Sequence, residues 1–195
     1  MSKSSPGILL VVSGPSGAGK TTLCERLCAD DPRVVHSISC TTRKPRAGEK
    51  NGIAYFFLSV GEFLKKAEAG EFLEHAVVHG NHYGTLLGWV REKLESGVDV
   101  VMDIDVQGAD QIRNHPDPFI ADRRADMFIY LSEEEVLARL EDRGSESKEQ
   151  LETRLANSRE ELSHWPLYQY VIPSRSRDED YARFRAIIEG ERGRP

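Results

Sequence analysis

The segment Gly14-Pro15-Ser16-Gly17-Ala18-Gly19-Lys20-Thr21 fits the pattern G-x-x-x-x-G-K-[ST] without a mismatch, and it restricts the chain to few folds. The apolar run Ile8 to Ser13 before it has the character of a buried parallel strand. The run Thr22 to Leu27 after it reads as a helix. In such a strand–loop–helix unit the glycines let successive backbone N–H groups point into one concavity, and the helix N-terminus adds partial positive charge. The concavity suits the phosphates of a nucleoside triphosphate, held by Gly14, Pro15, Ser16, Gly17, Ala18, Gly19, Lys20, Thr21 and Thr22. Lys20 would reach the β- and γ-phosphates, and the Thr21 hydroxyl would meet Mg²⁺.

Composition narrows the partners. The chain has 195 residues, enough for one α/β domain with a substantial core. Its net charge of −6 argues against nucleic acid polymers and membrane surfaces, so any anion must be held by a local cationic cluster. No apolar run is long enough for a bilayer, and the start lacks a secretory signal pattern, so a cytoplasmic protein is expected. Three cysteines without a secretory context do not make a disulfide framework. Cys24 and Cys28, four apart on the first helix, read better as packing residues than as metal ligands.

Apolar runs alternate with helical patterns, the order of a parallel sheet between helical layers: a three-layer α/β/α fold. Strands are expected at 34–39, 99–104, 125–131 and 169–172, and helices at 133–142, up to about 164, and at 178–189. Ser132 with Glu135 forms a capping box before the first of these helices. A segment of different character, rich in Gly, Tyr, Phe and His, reads as an inserted subdomain over about 39–84, with short strands at 55–58 and 74–79 and a helix at 60–69. Residues 84–95 are expected to resume a helix. The core is thus expected at 7–38, 85–142 and 165–190, and a polar lid at about 143–157.

Two clusters speak to a second substrate. Arg43 and Arg46, three apart around Pro45, can fork around a phosphate monoester. Asp103 and Asp105 end the apolar run 98–102, where open α/β sheets bind ligands, and alternation in a strand would point both carboxylates to one side. Asp103 would orient Mg²⁺, partly through water. His75, His79 and His82 have tempting zinc spacings, but Gly80-Asn81 breaks any helix that would align them.

These motifs resemble the guanylate kinase family. The resemblance rests on 13–20, on Ser39-Cys40-Thr41-Thr42-Arg43-Lys44-Pro45-Arg46-Ala47-Gly48-Glu49, and on Asn51-Gly52 ahead of Tyr55. It continues through 71–74, Gly80-Asn81-His82-Tyr83-Gly84-Thr85, Asp103-Ile104-Asp105-Val106-Gln107-Gly108 and Arg139-Leu140-Glu141-Asp142-Arg143-Gly144. It implies transfer of the γ-phosphoryl group of ATP, with Mg²⁺, to GMP. It implies that Arg43, Arg46, Tyr55 and Tyr83 hold the GMP phosphate, with Asp103 also at the GMP side, and that Ser39, Glu74, Thr85 and Asp105 read guanine. Glu74 can accept guanine N1–H and the 2-amino group, while the hydroxyls can donate to O6. Arg139, Arg143 and Arg154 are implied as lid cations that steady the transferring group with Lys20 and Arg43. The expected partners are small nucleotides, with no nucleic acid polymer and no membrane, for a monomer or small homo-oligomer.

Two departures stand out. Ala54 replaces the family's Asp, and Ser174-Arg175-Ser176 replaces its Asn-Asp-Asp, whose Asn is implied to hold the ATP adenine, so a looser donor choice is expected. A phosphate-loop kinase for a phosphorylated sugar would not need the guanine-reading set. A phosphopeptide-binding scaffold would not need the intact loop.

Overall fold

The computed structural model describes residues 5–142 and 148–194. Its centre is β1, Leu9–Ser13, buried along its whole length. It is flanked by β7, Asp99–Asp103, and β8, Arg124–Tyr130, with β2, Val34–His36, and β9, Tyr170–Pro173, outside them. The order is β2-β7-β1-β8-β9 and every pairing is parallel.

Alternation along β1 divides the core. Ile8, Leu10 and Val12 face one layer with α1, Lys20–Asp30, α6, Glu133–Asp142, and α8, Arg177–Arg192. Leu9 and Val11 face the other with α3, Leu87–Glu95, α4, Val106–Arg113, and α5, Pro118–Arg123. A strand with both faces covered must be apolar throughout, which is why this run does not alternate with polar residues. Each fully buried side chain contributes roughly 1.5–3 kcal/mol. α7, Lys148–Ser163, leads through a 3₁₀ turn at Trp165–Leu167 to β9.

A second sheet of order β4-β3-β6-β5 carries much of the middle of the chain. Its strands are β3, Cys40–Thr41, β4, Phe56–Phe57, β5, Phe72–Val78, and β6, Asn81–Leu86. α2, Val60–Glu68, closes it with a Ser59–Glu62 capping box, and Phe63 stacks on Phe72 at 4.4 Å. Sequence periodicity over 84–95 predicts helix, but 84–86 belong to β6, where Thr85 pairs with Glu74 and Leu86 with Phe72. Leu86, Leu87, Val90 and Leu94 make a continuous apolar series that conceals the change of period.

The root of this second sheet is fastened to the core. Leu73 packs among Val90, Leu94 and Met102. At the next turn the Gln111 side chain of α4 accepts from His75 N at 3.0 Å and donates to His75 O at 3.0 Å.

Behind the sheet, Asp126 is 1 % exposed. It accepts Arg113 Nε at 3.2 Å and Gln169 N at 2.8 Å, and lies 3.6 Å from Arg124 Nε. Asp126→Ala removes the buried anion that the half-buried Arg113 and Arg124 share, leaving Arg113 with Asp110 alone, which costs about 3–5 kcal/mol. The melting temperature should fall by roughly 6–20 °C for a domain of this size, read by calorimetry.

Candidate active site

The loop after β1 turns away from the sheet at Gly14, whose φ is 147° and whose Cβ position would lie 2.4 Å from Ile129 O, so no side chain fits there. α1 starts at the N-cap Gly19 with no side-chain cap, leaving its first N–H groups for an anion. Lys20 Nζ folds back over the loop and donates to Gly14 O at 2.5 Å and Pro15 O at 3.1 Å. Burial holds its pKa below the ordinary lysine value, while Glu161 and Asp103 pull it the other way. Glu161, on α7, accepts from Ser16 N and faces Lys20, although burial raises its pKa. A carboxylate therefore sits at the loop from the side of α7.

Thr21 Oγ1 donates to Asp103 Oδ2 at 2.5 Å. Asp103 Oδ1 meets His36 Nε2 at 3.0 Å, and His36 Nδ1 meets Ser37 O at 3.1 Å. Both ring nitrogens face acceptors, so the doubly protonated imidazolium satisfies both. A hydroxyl beside a carboxylate is a hard oxygen donor set of the kind Mg²⁺ takes together with phosphate oxygens.

Arg139 reaches across from α6, donating to Gly17 O at 3.1 Å and Ser174 Oγ at 3.0 Å. Arg154 lies exposed on α7, and Arg143 falls outside the described residues. A cavity of about 710 Å³ adjoins the loop between α1, α6 and the start of α8.

On the other side of the loop, Glu74, Thr85 and Ser39 converge. Glu74 is 8 % exposed and Thr85 fully buried, and Ser39 Oγ lies 3.4 Å from Thr85 Oγ1. Burial pushes the Glu74 carboxyl above the usual range, hydrogen bonds from Thr85 oppose this, and the Asp105 charge adds to it. Asp105 does not continue β7 as strand alternation predicts: the strand ends at Asp103, and Asp105 caps α4 by accepting Gly108 N at 2.8 Å. The two acids therefore part, Asp103 to the loop and Asp105 toward Glu74. Lys20, Glu161 and Glu74 all feel the Asp105 charge, so it stands where the two halves of the site meet.

Arg43 is held by Glu49 Oε1 at 2.8 Å and Lys44 O at 2.9 Å, with its guanidinium 5.4 Å from the Tyr55 ring centre. Glu49 also accepts Arg46 N at 2.7 Å, fixing the loop that carries both arginines. Tyr55 and Tyr83 meet edge to face at 6.1 Å. The sequence gives no sign of the parts played by His36, Gln111, Glu161 and Glu49. Their contacts are polar and, except for Glu49, distant in the chain. The histidines at 75, 79 and 82 belong to the β5–β6 hairpin, with His75 and His82 against the Phe63 ring.

A parallel three-layer sheet, a phosphate loop at the end of its central strand and an acid at the end of the next strand define a phosphate-loop kinase. Comparison with known proteins narrows the class. A family model described as guanylate kinase matches residues 7–191. A guanylate kinase of Ruegeria pomeroyi is 43 % identical over 189 residues, covering 96 % of this chain and 87 % of that one. That of Hahella chejuensis is 43 % identical over 187 residues, covering 95 % and 88 %. The crystal structure of guanylate kinase from Anaplasma phagocytophilum superposes with a TM-score of 0.70 at 30 % identity, covering 97 % and 88 %. The chain belongs to the guanylate kinase family.

The His36–Asp103 pair has a signature in stability. The hydrogen bond to Asp103 raises the His36 pKa, with burial opposing. Its contribution is therefore full below about pH 6.5 and is lost as pH rises through the folded value. Burial alone would raise Asp103, but His36 and Thr21 outweigh it and hold the carboxyl low. That contribution is present above about pH 3.9 and is lost as pH falls. In buffer without nucleotide or magnesium, the urea midpoint should drop between about pH 6 and about pH 8, and His36→Gln should flatten that drop.

Proposed function

We propose that the two halves of the site divide the guanylate kinase reaction between them, with the triphosphate on the loop side and GMP on the Glu74 side. An oxygen of the GMP phosphate attacks the γ-phosphorus of ATP, the bond to the β–γ bridging oxygen breaks, and GDP and ADP leave. No protein nucleophile is needed. The chain's work is positioning and electrostatics. The observation that carries the reading is the group of buried Glu74 and Thr85 with half-buried Ser39, placed across Asp105 from the phosphate loop.

Guanine brings N1–H and the 2-amino group to Glu74 and O6 to the hydroxyls. Adenine has no N1–H, and its N1 lone pair would face a buried carboxylate, so it is rejected. Arg43 and Arg46 hold the acceptor phosphate with Tyr55 and Tyr83, and Glu49 keeps Arg43 aimed. Lys20 exchanges the carbonyls of Gly14 and Pro15 for phosphate oxygens, which are stronger acceptors. Arg139 is already placed on the loop at Gly17, and Arg143 and Arg154 join it as the lid over 143–157 closes and excludes water. Thr21 and Asp103 would hold Mg²⁺, which neutralises phosphate charge when bound. We take residues 39–84 as the GMP-binding part, and the enzyme as a cytoplasmic monomer or small homo-oligomer that acts on free nucleotides.

The test is ADP release from MgATP with GMP, AMP, CMP, UMP or no acceptor. Release is expected with GMP alone and is lost in Lys20→Ala. Folded protein that binds GMP and releases no ADP would remove the kinase reading. Glu74→Gln turns an acceptor pair into an amide that can accept only one of the two guanine donors. It should raise KM for GMP by about tenfold to a hundredfold while KM for ATP stays within about twofold. Equal losses for both substrates would take Glu74 out of base reading.

A further inference from the structure

The cavity beside the loop has an unusual wall. It adjoins Gly17, Gly19 and Thr22, so a triphosphate on the loop directs its nucleoside into it. Its far wall is the segment Ser174–Arg177 with Asp180 of α8. In that wall the side-chain oxygens already have partners. Ser174 is 6 % exposed, and its hydroxyl donates to Asp180 Oδ2 at 2.7 Å and accepts from Arg139 Nη2 at 3.0 Å. Asp180 Oδ1 accepts Arg175 N at 2.7 Å. The Ser176 hydroxyl donates to Glu179 Oε2 at 2.7 Å as the cap of α8. Arg175 and Arg177 remain, exposed at the rim. Among the described residues their guanidinium groups have no hydrogen-bond or ion-pair partner, whereas Arg26 on the same cavity is engaged by Asp178 at 2.7 Å.

The free side chains of that segment are guanidiniums, which donate and do not accept. Adenine shows a 6-amino donor beside the N7 acceptor, and a guanidinium can match only one of these. A 6-oxopurine shows two acceptors, O6 and N7, on that same edge, which one guanidinium can take bidentately.

We infer that this pocket accepts 6-oxopurine nucleoside triphosphates, GTP in particular, as phosphoryl donors at least as readily as ATP, with Arg175 and Arg177 reading the O6/N7 edge. The inference rests on the guanylate kinase reading of the site and extends it to a second reaction. The γ-phosphorus of GTP bonds to a GMP phosphate oxygen, its bond to the β–γ bridging oxygen breaks, and two GDP result.

The experiment uses the full chain with saturating GMP and Mg²⁺, and ATP, GTP, ITP or CTP as donor, with diphosphate products separated by chromatography. Reactions without GMP and with Lys20→Ala remove background exchange. kcat/KM for GTP should equal or exceed that for ATP, ITP should follow GTP within about threefold because it shares O6 and N7, and CTP should fall at least about tenfold below. The double substitution Arg175→Ala, Arg177→Ala lies on the exposed rim, so folding is not at stake. It should lower GTP and ITP use by about fivefold or more relative to ATP. Ser174→Asn, which returns an amide carbonyl to the wall, should move the ratio toward ATP. GTP used at less than about one-tenth the efficiency of ATP would overturn the inference, as would a GTP-to-ATP ratio that the double substitution leaves within about twofold. Activity with ATP and GMP in those cases would leave the kinase reading standing. No turnover with any donor would overturn both.

Discussion

The parallel pairing of β1 between β7 and β8 sets the position of the phosphate loop and of Asp103 beside it. Val12 is level with Asp103 on one side and Met127 on the other, and Ser13 is level with Phe128. The loop therefore leaves the sheet at the height where β7 ends in its acid and beside the backbone of Ile129. A slip of one residue would turn the apolar faces of β1 over and separate Thr21 from Asp103. Burial on both faces makes such a slip prohibitive. The geometry of the site is thus a by-product of the register that the core requires.

Around that centre the charges are arranged to be exchanged. Lys20 rests on its own loop's carbonyls, Glu161 takes a loop N–H, and Thr21 takes Asp103. Each is a weaker version of an interaction that a phosphate or a cation offers. A bound phosphate or cation would then replace partners rather than meet naked charge. Arg43 follows the same logic, held by Glu49 where a phosphate is expected.

Much of this was legible in the sequence because it is local. The glycine loop, the strand before it and the helix after it lie within one stretch of chain, and the Ser132–Glu135 capping box of α6 is written in residues three apart. The acid at Asp103 was legible through its place at the end of an apolar run. What escaped was short or distant. β3 has two residues and owes its existence to its neighbours. The helices α4 and α5 are brief, parted by a turn with Pro116 and with Pro118 opening α5, and their apolar positions are few. Asp105 was misplaced because strand alternation was carried past the residue where the strand stops. His36 and Gln111 are ordinary polar residues whose meaning depends on partners 67 and 36 positions away, which no pattern in one sequence reveals.

The tie between Gln111 and His75 has a mechanical meaning. With Leu73 in the main core and His75 gripped at both its N–H and its C=O, the root of the β5–β6 hairpin is part of the frame, and Glu74 lies between these two anchors. The hairpin tip with Val77 and Val78, and the arginine-bearing segment around Glu49, have no such fastening among the described residues. In the proposed arrangement a purine on Glu74 would be held by the anvil, and its phosphate by the hammer. Swinging the outer part would then set how far the phosphate travels without altering which base was chosen.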